Sequence, residues 1–76
     1  MTPTIGQLIE HQLRHQQRSV TWFANHLCCT RGNVYRLFEK SSVDTFLLLR
    51  ISRILDFDFF QSYSEFLAAN STSKAD

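Results

Sequence analysis

Apolar residues recur along this chain at helical spacing in five separate blocks. Ile5, Leu8, Ile9 and Leu13 form one stripe, which predicts a first helix from Ile5 to about Gln16 or Gln17. Val20, Phe23, Ala24 and Leu27 repeat at i, i+3, i+4, i+7, and Val34, Leu37 and Phe38 at i, i+3, i+4. These predict a second helix over 20–27 and a third over 31–38. Residues 45–55 carry a broader stripe of Phe46, Leu47, Leu48, Ile51, Ile54 and Leu55. Phe59, Phe60, Tyr63, Phe66 and Leu67 then suggest a fifth helix with a heavy aromatic load. Side chains that accept free amide hydrogens stand where these helices should begin: Thr4 (after Pro3), Ser19, Thr30 and Asp44. No segment alternates as a strand would, so the chain reads as all-α. Residues 1–68 form one domain, and the polar tail 69–76 is expected to fray.

The second and third blocks are separated by little more than Cys28 and Cys29, too few residues for two helices to run antiparallel comfortably. The chain must turn sharply there, which is helix-turn-helix geometry. Seventy-six residues suffice for one domain with a thin core. No uninterrupted apolar run is longer than Phe46–Leu49, far short of a membrane span, and the amino end has no signal-peptide pattern. The expected setting is the cytoplasm, near the nucleoid, with no membrane contact. Adjacent cysteines rarely reach disulfide geometry, so Cys28 and Cys29 are expected as free thiols in a small semi-buried packing role.

Charge changes the picture once it is divided. Residues 11–53 hold seven lysines and arginines against Glu39 and Asp44, a net +5, whereas residues 54–76 are net −3. Such polarity fits a basic binding face with an acidic far end. On the third helix, Val34, Leu37 and Phe38 share the core side. Gly32 and Arg36 fall roughly opposite, Asn33 and Tyr35 flank them, and Arg31 lies on the first turn. An arginine can bond guanine O6 and N7 in bidentate fashion, and an asparagine adenine N6 and N7. Tyr35 suits a phosphate or a thymine methyl. The amide hydrogens around Ser19, Val20 and Thr21 offer an anion site at the start of the second helix. Arg18, Lys40, Ser41 and Ser42 could clamp the DNA backbone. Trp22 stands at the shoulder of the second helix, where partial burial against a neighbouring helix is the expectation.

With Phe23-Ala24, Leu27, Thr30, Val34 and Leu37 at these spacings, followed by Leu48, Ile51 and Leu55, the run from Ile5 to Phe60 resembles a known family. It is similar to the lambda-repressor-like (Cro- and repressor-type, XRE-like) helix-turn-helix domain of bacterial and phage transcriptional regulators. The resemblance implies a five-helix bundle whose third helix enters the major groove of double-stranded DNA, usually as a dimer. It also implies base contacts by Arg31, Gly32, Asn33 and Arg36, with Tyr35 at the groove edge. The chain departs from the family twice. Val20 stands where glutamine usually braces the phosphate, and Cys28 stands where the turn usually holds a left-handed glycine. A cysteine there would be strained.

Rival readings are a helix-turn-helix protein-interaction module and an antitoxin-like partner protein. Phe59, Tyr63, Phe66 and Leu67 exceed what so small a core needs and are expected to form a homodimer surface. His26, Cys28 and Cys29, with His11 and His15 at i, i+4, lack the spacing of a zinc site, so no metal is expected. No glycine-rich phosphate loop or paired catalytic carboxylates occur, and no effector segment is expected after the bundle. The expectation is a non-enzyme without cofactor or small-molecule ligand.

Overall fold

The computed structural model describes residues 3–71, with side chains from 3 to 65. Five α-helices and no strand occur among them: α1 (Ile5–His15), α2 (Val20–Leu27), α3 (Arg31–Phe38), α4 (Thr45–Leu55) and α5 (Phe59–Ser71). None is long and apolar enough to cross a membrane. Each helix opens on an oxygen acceptor. Thr4, Ser19, Thr30 and Asp44 accept the amide hydrogens of Gln7, Trp22, Asn33 and Leu47, and Asp58 accepts that of Gln61. Such a cap contributes about 1 kcal/mol. At α1 the Gln7 side chain also returns to the Thr4 amide, which completes a capping box. The α5 helix extends into the 69–76 segment as far as Ser71, and the rest of that segment lies outside the described residues.

Three helices close in the same way. The amide of the residue that follows a left-handed one reaches back five positions: Arg18 to Leu13 O, Cys29 to Ala24 O, and Phe57 to Ser52 O. Each closure is a Schellman motif whose left-handed residue is normally glycine. Here those residues are Gln17, Cys28 and Asp56, with φ of 59°, 61° and 51°. Both glycines of the chain lie inside helices instead.

The core gathers one stripe from each helix: Ile5, Ile9 and Leu13; Phe23, Ala24 and Leu27; Val34, Leu37 and Phe38; Leu48, Ile51 and Leu55; and Phe59. Leu8, Val20, Leu47 and Ile54 are half-buried at its rim. Two expectations are corrected. Phe46, assigned to the buried stripe of α4, is 70% exposed, because the core meets the Leu48–Ile51–Leu55 side. Phe59, assigned to a dimer surface, is fully buried and stacks edge-on against Phe57 with centroids 4.8 Å apart.

Three polar ties set the helices against one another. The Gly6 amide donates to Lys40 O at 3.0 Å, joining the first turn of α1 to the end of α3. Gln16 Nε2 donates to Leu55 O at 2.6 Å, joining α1 to the last turn of α4. Arg50 of α4 donates a longer bond, 3.4 Å, to Leu27 O at the end of α2. A guanidinium there also suits the negative end of the α2 dipole.

Candidate nucleic-acid interface

The connection between α2 and α3 consists of Cys28, Cys29 and Thr30. Cys28 takes up the left-handed conformation in which a cysteine is strained (φ 61°, ψ 45°), and its side chain is exposed rather than semi-buried. Cys29 is half-buried. Burial and the neighbouring Cys28 push its thiol above the ordinary range, while Arg50 opposes the shift. Cys29 therefore stays protonated at neutral pH and packs as a small apolar residue.

All four residues expected at base edges, Arg31, Gly32, Asn33 and Arg36, are exposed on α3. They do not all face one way. Asn33 and Arg36 join Lys40 and Arg50 around a cleft of about 380 Å³ between α3 and α4, floored by apolar residues that include Leu37 and Leu47. Tyr35 lies on the other flank of α3. Its ring meets Phe38 edge-on at 6.2 Å and lines a hollow shared with Glu39 at the end of α3 and with Thr4, Gln7 and Glu10 of the α1 side. The two carboxylates there make that flank the less favourable one for a phosphate.

The start of α2 carries a different construction. The Ser19 cap uses the Trp22 amide, so the amides of Val20 and Thr21 have no partner among the described residues. The Arg18 guanidinium stacks 4.5 Å from the Trp22 ring, and the His26 ring follows at 4.2 Å. His26 Nδ1 lies 2.9 Å from Trp22 O, which holds the outer ring in place. Trp22 is half-buried against the core, as partial burial required, and it also positions a cation beside the helix end. Thr21 is exposed here, as are Lys40, Ser41 and Ser42 in the α3–α4 connection.

Arg50 is the residue that sequence reasoning missed. It lies outside the apolar stripe of α4, yet it both ties α4 to the end of α2 and lines the α3 cleft. The signal was its i, i+3 spacing from Leu47, which placed it beside a half-buried position. The only ion pair among the described residues joins Arg14 to Glu10 within α1, at 2.8 Å. Arg18, Arg31, Arg36, Lys40 and Arg50 are thus free of carboxylate partners among those residues.

Of the expected dimer residues, Tyr63 is exposed, and the side chains of Phe66 and Leu67 lie outside the described residues. No group of three or more His, Cys, Asp or Glu among the described residues is arranged to hold a metal ion. His11 and His15 stack on one another at 6.4 Å on the outer face of α1. Comparisons with protein-family models, curated proteins and solved structures return no match.

Proposed function

We propose that this chain binds double-stranded DNA with sequence preference, as a small transcriptional regulator that sets α3 in the major groove. The observation that carries the reading is the set of cations without carboxylate partners around one short, tightly connected helix pair. Arg31, Asn33 and Arg36 are exposed on α3, Lys40 and Arg50 border the same cleft, and Arg18 is held beside the open amides of α2. Charges left unpaired at a protein surface are available to phosphates, and the guanidinium and amide groups of α3 match purine edges. On this reading the helix pair is a helix-turn-helix and the bundle is of the lambda-repressor-like type, with Arg18, Ser19, Thr21 and Lys40 to Ser42 on the DNA backbone. Asn33 and Arg36 lead the base contacts, because they share a flank with Lys40 and Arg50. Tyr35, on the acidic flank, stays at the groove edge.

Duplex binding measured against salt tests this. Affinity for random duplex should fall steeply as salt rises, since each phosphate contact releases counterions. On a site selected from random sequence, Arg36→Ala should cost on the order of 1–3 kcal/mol and relax preference at one base. Absence of duplex binding even at low salt would leave the interaction-module reading in its place.

A further inference from the structure

The cleft between α3 and α4 has a floor that the proposed contacts with DNA leave unused. Its apolar lining is Leu27 from the end of α2, Leu37 from α3, Leu47 from α4 and the protonated thiol of Cys29. Leu27 and Leu37 are buried against the core, whereas Leu47 and Cys29 are only partly covered. Phosphates and base edges are met by guanidinium, ammonium and amide groups at the rim. Neither needs an apolar floor beneath those groups. The lining comes from three helices and so leaves no local pattern, which is why the sequence alone points to no small-molecule ligand.

The charges at the rim say what fills it. Arg36, Lys40 and Arg50 are all cationic, and no carboxylate among the described residues lines the cleft. None of the three forms an ion pair among those residues. The hollow beside Tyr35, by contrast, carries Glu10 and Glu39, and a groove between α4 and α5 carries Asp56 and Asp58 beside Arg53. Only the α3–α4 cleft of these three sets a single sign of charge over an apolar base. Arg50 is half-buried and spends one long bond, 3.4 Å, on Leu27 O, so further donors of its guanidinium stay available. The volume of about 380 Å³ lies near the lower end of small-molecule pockets. A partner helix, about 10–12 Å across, could place no more than a side chain in it.

We infer that the α3–α4 cleft binds a small organic anion, a carboxylate on a body of one or two rings. The rings lie on Leu37 and Leu47, and the carboxylate accepts from Arg50, Lys40 and Arg36. Bonds to an ionised acceptor are roughly twice as strong as neutral ones, and partial burial strengthens them further. One consequence rests on the proposed function. A ligand seated there covers Arg36 and Lys40, so ligand and duplex exclude one another and the DNA surface answers to a small-molecule signal.

Amide NMR of the isotope-labelled full chain, titrated with 2-naphthoate at constant ionic strength and without DNA, tests the inference. Saturable shifts should centre on Cys29, Leu37, Lys40 and the Leu47–Arg50 turn, with a dissociation constant on the order of 0.1–1 mM. 2-Naphthalenemethanol has the rings without the charge, and acetate has the charge without the rings. Each should bind at least roughly tenfold more weakly than naphthoate. Arg36→Met combined with Lys40→Met, both at exposed positions, should weaken naphthoate by roughly tenfold and leave the alcohol unchanged. The inference is overturned by a titration that shows no saturation up to about 10 mM, or by shifts that centre elsewhere. It is equally overturned if the alcohol or acetate binds as well as naphthoate, or if the double variant binds naphthoate like wild type. Saturating naphthoate should then weaken duplex binding by roughly tenfold or more, and a duplex that binds equally well to the occupied cleft overturns the exclusion. A chain that binds naphthoate but no duplex overturns the DNA reading and keeps the cleft, and the reverse result overturns the cleft alone.

Discussion

Cys28 carries the largest local cost in the α2–α3 connection. In the left-handed region a β-carbon crowds the following carbonyl oxygen, which costs roughly 1–2 kcal/mol for an ordinary residue. Glycine avoids that crowding, and the Cys28 side chain is exposed, with no burial to lose. Cys28→Gly should therefore stabilise the fold by about 1 kcal/mol, seen as a higher urea midpoint with an unchanged slope. An unchanged or lowered midpoint would mean that the thiol makes a compensating contact. The sharp turn was legible from the length of the connection, and the left-handed residue within it only from the resemblance. That a cysteine takes up this conformation was not legible, because local preference alone disfavours the conformation that the Schellman bonds impose.

At the scale of elements, the two glycines separate a packing role from a surface one. A β-carbon on Gly6 would overlap the Phe38 carbonyl oxygen and stand 2.5 Å from that of Leu37, both of them backbone atoms that cannot swing aside. Gly6→Ala should push α1 off the end of α3, break the Gly6–Lys40 bond and cost about 2–3 kcal/mol. At Gly32 the nearest atom is Thr30 Oγ1 at 3.8 Å, so Gly32→Ala should leave stability unchanged or raise it by up to about 1 kcal/mol. If α3 approaches DNA through that bare stretch, the same methyl lowers duplex affinity. Thermal melts of both variants, with a duplex titration of the second, check these outcomes together.

Helix boundaries were readable because the caps are local chemistry. Ser19, Thr30 and Asp44 act on amides three residues away, whatever the rest of the chain does. Facing was harder. The run Phe46–Leu49 is apolar in every direction around α4, so only tertiary packing decides that Leu48 goes in and Phe46 out. Phe59 among Phe57 and Phe60 poses the same problem at the start of α5. The reason for Gly6 lies in a segment more than thirty residues away, which no local pattern records.

For the molecule as a whole, the division between a basic stretch and an acidic one becomes a division of labour along α4. Leu47 and Arg50 face the α3 cleft, while Leu49 and Arg53 border the groove that leads to α5. Cations on the first side are expected to meet phosphates one at a time. Lys40→Ala should weaken binding to all duplexes about equally and reduce the slope of log affinity against log salt by about 0.9. A sequence-dependent loss would instead assign Lys40 to a base edge. The exposed positions of Arg31, Asn33 and Arg36 followed from helical phase. Their unequal partners did not, because Arg50 and Glu10 come from other helices.

The three left-handed closures at Gln17, Cys28 and Asp56 also bear on how such a chain can change over generations. Codons for cysteine and aspartate lie a single base from glycine codons, so two of these sites hold stabilising substitutions within one mutational step. Stability gained there would not alter the α3 surface. It would leave room for destabilising exchanges on the exposed side of α3, at Asn33 or Arg36, which under the proposed function would redirect sequence preference. If α3 reads DNA as proposed, a strained turn beside it is less a flaw than a store of tolerance from which new specificities can be drawn.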